Sequence, residues 1–139
     1  MDRDEFIEAV RRRAILGSRE EAERISRATL ETLAERLTGE EVEDLAALLP
    51  QELAGCLLWH ERAGSGEAFA LDEFVDRVVE REDARDPAEA ASHAKAVMRA
   101  VKEAVAAGEE KDARSPLPQE LAPLSEPGVG ESGLPGAGG

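Results

Sequence analysis

The side chains able to do chemistry are few in this chain, and their spacing decides what they can do. His93 follows Glu89 by four residues, so on a helix both would face one side, as two ligands of a metal can. A metal site needs three or four ligands, and no others stand beside them. His93 is therefore expected as a half-buried histidine in a core position. Trp59-His60 ends an apolar stretch. The sole tryptophan could anchor a partner or a ligand, but its expected role is to close the core where the chain leaves it. Trp59 and His93 are thus the candidates for lining a cleft. Cys56 has no neighbouring His or basic run to lower its pKa and reads as a small core residue. Arg11-Arg12-Arg13 is expected to be an ion-pairing helix face, and Glu40-Glu41 and Glu109-Glu110 are expected at helix starts, where the dipole favours negative charge. There is no Gly-rich phosphate loop, no Gly-x-Ser-x-Gly and no Cys-x-x-Cys. With no Tyr, one Cys and two His, general acid–base and nucleophilic groups are scarce. No catalytic residue, cofactor or metal is assigned, and the reading leans away from an enzyme.

The elements that must hold these residues are helices. Of 139 residues 42% are apolar, too many for a disordered polyelectrolyte. Twenty-four of them are Ala, with three Phe, one Trp and no Tyr, a palette for closely packed helices. Seventeen Lys and Arg against 31 Asp and Glu leave a net charge of −14, which argues against nucleic acid as a partner. The lone cysteine gives no sign of an oxidising compartment, the charged start Met1-Asp2-Arg3-Asp4-Glu5 is unlike a secretory signal, and no apolar run approaches the roughly 20 residues that span a bilayer. A cytoplasmic protein that does not contact membrane is expected.

One module is written twice. Asp4-Glu5-Phe6 recurs as Asp72-Glu73-Phe74, and Leu49-Pro50-Gln51-Glu52-Leu53 as Leu117-Pro118-Gln119-Glu120-Leu121, both at an offset of 68 residues (72 − 4 and 117 − 49). Between them Val10/Val78, Arg13/Arg81, Glu21/Glu89, Ala22/Ala90, Ala28/Ala96, Glu35/Glu103, Glu41/Glu109 and Asp44/Asp112 match, making 16 identities in 50 ungapped positions. Residue 93 aligns with Ile25, which is why a core role is expected for the histidine.

Each copy reads as helices. Asp2 with Glu5, Ser18 with Glu21 and Thr38 with Glu41 are capping-box starts. Phe6, Ile7, Val10 and Ala14 form one apolar face, Ala22, Ile25, Ala28/Thr29, Leu33 and Leu37 a second, and Val42, Leu45 and Leu49 a third. Gly17 is expected to end the first helix, and Pro50 to end the third and open a fourth bearing Leu53, Leu57 and Leu58. In the second copy Asp86-Pro87-Ala88-Glu89 opens a long helix that Gly108 closes. The expected fold is all-α: a compact helical bundle of two tandem helical repeats about a pseudo-twofold axis. The repeats span 2–59 and 70–124, joined by a connection over 60–69, with a disordered Gly/Pro tail over 125–139. Glu110, Ala113 and Pro116 replace Val42, Leu45 and Leu48, so the helix before Pro116 is expected to be short or frayed.

These residues resemble a bacterial family known as domain of unknown function 2267, on the strength of Asp4-Glu5-Phe6, the Thr29–Leu37 segment and the Leu49–Leu53 motif, with their second copies. The resemblance covers roughly residues 2 to 124 and implies an all-helical fold without established catalytic residues. The repeated Leu-Pro-Gln-Glu-Leu is the most specific signal: Pro turns a sharp helix-to-helix corner, the leucines fill the core, and Glu52 and Glu120 suit a first helical turn. A recognition surface is the other reading of the motif and would account for Gln51 and Gln119 being kept in both copies. The expected function is a non-catalytic protein-interaction or regulatory module whose partner is a protein, itself or another. The alternative is a small-ligand-binding or enzymatic domain using the cleft between the repeats.

Overall fold

The computed structural model describes residues 2–58 and 63–108, which form six α-helices: α1 (Arg3–Arg13), α2 (Arg19–Arg36), α3 (Gly39–Leu48), α4 (Gln51–Leu58), α5 (Leu71–Glu82) and α6 (Pro87–Gly108). Trp59, Leu117–Leu121, the segment before Pro116 and the tail over 125–139 lie outside the described residues. Helix starts follow the caps. Asp2 and Thr38 close complete capping boxes with Glu5 and Glu41. Ser18 accepts from the Glu21 amide, but the Glu21 carboxylate reaches one residue further back, to the Gly17 amide. Asp86, Glu89 and the Arg85 amide repeat this arrangement at the start of α6.

The core lies along the two long helices. α2 packs against α1, α4, α5 and α6, while α6 packs against α1, α2, α3 and α5. Phe6 and Ile7 from α1, Ile25, Leu30 and Leu33 from α2, Phe74 from α5 and Met98 from α6 are fully buried. The small residues Ala90, Ala94, Ala96, Ala100 and Ala104 are buried along α6 and allow its neighbours to approach closely. Leu49 and Leu53 are buried on either side of the Pro50 corner, where the Pro50 carbonyl accepts from the Leu53 and Ala54 amides at 2.9 Å and so starts α4.

Residues after Ala63 form a clasp on the end of α2. The amides of Gly64, Gly66 and Glu67 donate to the carbonyls of Ala34, Leu37 and Glu35 at 2.7–2.9 Å, satisfying acceptors that a helix terminus leaves open. Gly64 is required there: its φ is +80°, and a Cβ would lie 2.9 Å from the Cα of Gly39.

α1 ends at Arg13, and its turn is made not by Gly17 but by Ile15, which sits in the left-handed region at φ +56° and is 89% exposed. Its 68-residue equivalent, Asp83, does the same at φ +61°. An aspartate tolerates this conformation, whereas a β-branched side chain is strained by it. Ile15→Gly is therefore expected to stabilise the fold by about 1 kcal/mol in urea unfolding, and an unchanged or lower midpoint would contradict the strain.

Candidate functional site

The Leu49–Leu53 motif divides by burial. Leu49, Pro50 and Leu53 face the core, while Gln51 and Glu52 stand exposed in the first turn of α4. Glu52 borders a groove of about 420 Å³ with Arg27 and Glu31 of α2 and Gly55 and Cys56 of α4. Gly55 forms an open part of its wall, since a Cβ there would meet nothing within 4 Å. Burial pushes the Cys56 thiol above its ordinary value, only partly opposed by Arg27, so the sulfur is a poor nucleophile at neutral pH. Leu58, at the end of α4, is one of the two large apolar side chains exposed among the described residues.

His93 lies on α6 and meets a residue that its sequence neighbourhood did not suggest. Its Nδ1 is 2.5 Å from Oε2 of Glu82, the last residue of α5. Glu82 is 2% exposed, and its Oε1 has no hydrogen-bond partner. Burial pushes the Glu82 carboxyl up; His93 and the more distant Arg24 of α2 pull against this, and Glu89 adds to it. In the first copy the two positions hold Ala14 and Ile25, so an acid–imidazole pair stands where the other half has two apolar residues. Glu89, the other half of the candidate metal pair, receives the Arg85 amide and guanidinium instead. Among the described residues no group of three or more His, Cys, Asp or Glu is placed to hold a metal.

The strongest electrostatic feature was not singled out as a site by sequence. Glu35, in the last turn of α2 and on its buried face, is only 1% exposed. Arg81 of α5 grips it with both terminal nitrogens, Nη1 to Oε1 at 3.0 Å and Nη2 to Oε2 at 2.6 Å, while Nη1 also donates to the Thr32 hydroxyl at 2.8 Å. Arg77, one turn earlier on α5, donates a further bond to Glu35 Oε1 at 2.8 Å. A second pair, Arg13 of α1 with Glu103 of α6, joins the other two helices at the surface. Both residue pairs were visible as the identities Arg13/Arg81 and Glu35/Glu103; the available signal was that opposite charges recurred at one offset, each pairing with the opposite half. Arg11 is bound to Glu8 and Arg12 is exposed, so the basic run divides among three environments.

The model of one protein family, described as an uncharacterized conserved protein (DUF2267), matches residues 3–124, and the chain belongs to that family. Among curated proteins none matches the sequence.

Two outcomes follow from these charges. Glu35→Gln leaves two inward-facing guanidinium groups without their shared anion and is expected to cost about 3 kcal/mol. Glu103→Gln breaks a pair whose side chains are 29% and 42% exposed and should cost under about 1 kcal/mol. Equal losses in chemical denaturation would refute the difference in burial. For Glu82 the folded pKa lies above the unfolded one, so the folded state holds a proton that the unfolded state releases. Stability from this group is complete below the ordinary glutamate range and is lost as pH rises from there through the folded pKa. Glu82→Gln removes this loss, so its melting temperature relative to wild type should climb as pH rises above the ordinary glutamate range. A flat or falling difference would contradict it.

Proposed function

We propose that this family member is a non-catalytic interaction or regulatory module of the cytoplasm, built from two tandem helical repeats about a pseudo-twofold axis, with a protein as its partner. Several coincidences support the repeat: α1 and α5 begin at residues 3 and 71, α2 and α6 at 19 and 87, and the left-handed turn residues are 15 and 83, all 68 apart. The crossed pairs Glu35–Arg81 and Arg13–Glu103 are those that such an axis would exchange. The boundaries 2–59, 60–69, 70–124 and 125–139 belong to the same reading. Against nucleic acid stand the net charge of −14 and the commitment of Arg77 and Arg81 to internal carboxylates. Among the described residues no helix is long and apolar enough to cross a membrane.

The observation that carries the interaction reading is the split within the corner motif. The residues that build the corner are buried, yet Gln51 and Glu52 are exposed, Glu52 borders a groove with Gly55 and Cys56, and Leu58 is exposed at the end of the same helix. The equivalent Leu117, Pro118, Gln119, Glu120 and Leu121 are assigned the same corner role. The alternative, a ligand or catalytic cleft between the repeats, has the buried Glu82–His93 pair in its favour, though His93 borders neither the Glu52 groove nor the cleft flanking α1.

The groove can be filled without touching the core. Gly55→Trp is expected to leave the helical circular-dichroism spectrum and melting intact and to abolish capture of the protein that the wild-type chain enriches, or to dissociate a homo-oligomer seen by light scattering. A wild-type chain that is monomeric and enriches nothing, or a partner indifferent to Gly55→Trp, overturns the assignment.

A further inference from the structure

The two crossed ion pairs are equivalent in sequence but not in their surroundings, and one difference is the side chain that stands beside each. Beside Glu35, the guanidinium of Arg77 spreads over three carboxylates: Nε donates to Glu73 Oε2 at 2.9 Å, Nη1 to Glu35 Oε1 at 2.8 Å and Nη2 to Glu67 Oε1 at 2.9 Å. Its Cζ lies 4.0 Å from the centre of the Phe69 ring. Only about 200 Å³ of open space remains there. Desolvation works against the charge of Arg77, but its bonds to Glu73, Glu67 and Glu35 prevail and keep it protonated.

At the 68-residue offset Glu73 corresponds to Glu5 and Arg81 to Arg13, and Glu35 corresponds to Glu103 further along the chain. Arg77, however, corresponds to Ala9, and Glu67 stands outside the repeated segment. Glu5, Ala9 and Glu103 all border a cleft of about 700 Å³ beside α1. Two of the three carboxylates that hold Arg77 thus recur beside α1, as Glu5 and Glu103, and the cation between them is missing there. The remaining wall is largely committed. Asp4 holds Arg19 at 2.7 Å and Glu8 holds Arg11, whereas Glu5 gives Oε1 to the Asp2 amide and Glu103 gives Oε2 to Arg13. Arg12, exposed at the rim, takes the position of Glu80 in the filled half and brings a positive charge to the same cleft.

We propose that this cleft receives an arginine side chain of a partner protein, between Glu5 and Glu103, as Arg77 is received between Glu73 and Glu35. A guanidinium is favoured over an ammonium because Arg77 meets Glu73 and Glu35 with two separate nitrogens of one planar group, a fork that lysine lacks. The site rests on the interaction-module reading and names the chemistry of the partner.

The test is an amide-shift titration of the full chain with N-acetyl-arginine N-methylamide, beside the lysine and citrulline analogues. Saturable shifts should appear for the arginine probe alone, confined to the first three turns of α1 and the neighbourhood of residue 103. Glu103→Gln should weaken the probe about tenfold, Arg12→Ala should tighten it, and Ala9→Arg should abolish it by supplying the missing side chain. If Ala9→Arg does not fold, Glu103→Gln carries the test by itself. Equal shifts with the lysine analogue, shifts spread over the acidic surface, or variants that bind like wild type overturn the site. A protein captured through the corner groove but indifferent to Ala9→Arg and Glu103→Gln overturns the arginine site and leaves the module reading standing. Saturable binding of the probe by a chain that captures no protein overturns the module reading and the partner's arginine, leaving only a guanidinium pocket.

Discussion

The buried carboxylate of Glu35 is the constraint around which the rest of the molecule is arranged. A charge in that position is tolerable only if its lone pairs are met. Arg81 and Arg77 meet them from α5, which ties the second long-range half of the fold to the first at a fixed height. Thr32, one turn earlier on α2, orients Arg81 through its hydroxyl, which itself donates to the Ala28 carbonyl. Position, rotamer and partner are thereby determined together, whereas the alanine-rich contacts of α6 leave sliding between helices comparatively inexpensive.

The same arrangement explains how so acidic a chain remains compact. Its carboxylates are distributed among three uses: helix starts, where Glu5, Glu21, Glu41 and Glu89 meet free amides; interhelical pairs; and solvent-facing surfaces. The first two uses convert self-repulsion into local attraction. Negative charge is in this sense a structural material of the fold.

Much of the architecture was legible because helices declare themselves locally. Caps at Asp2, Ser18, Thr38 and Asp86, and the stripe Ala22–Ile25–Leu33–Leu37, depend on residues within a few turns of one another. Less legible was whatever depends on distance. Ile15 acts as the turn residue although nothing in its type favours φ > 0, because Leu16 behind it must reach the core. His93 was placed at the core by its alignment with Ile25, but its partner, Glu82, corresponds to Ala14, and an alignment cannot reveal a pair of which only one half carries the polar groups. Arg77 was invisible for a similar reason: its significance comes from Glu67 and Phe69, outside the repeated motif, and from the alanine that replaces it in the other copy. Trp59 and the second Leu-Pro-Gln-Glu-Leu lie beyond the described residues.

The clasp on the end of α2 has a practical consequence. A surface connection is ordinarily the natural place to splice in a tag, a label or a protease site, since extra length costs little entropy. Here residues 64–67 supply the hydrogen bonds that finish a helix, and the backbone of Gly64 rests on that of Gly39. A splice within residues 64–67 is therefore disruptive, because lengthening the chain there uncaps α2 within one turn of the carboxylate on which both halves depend.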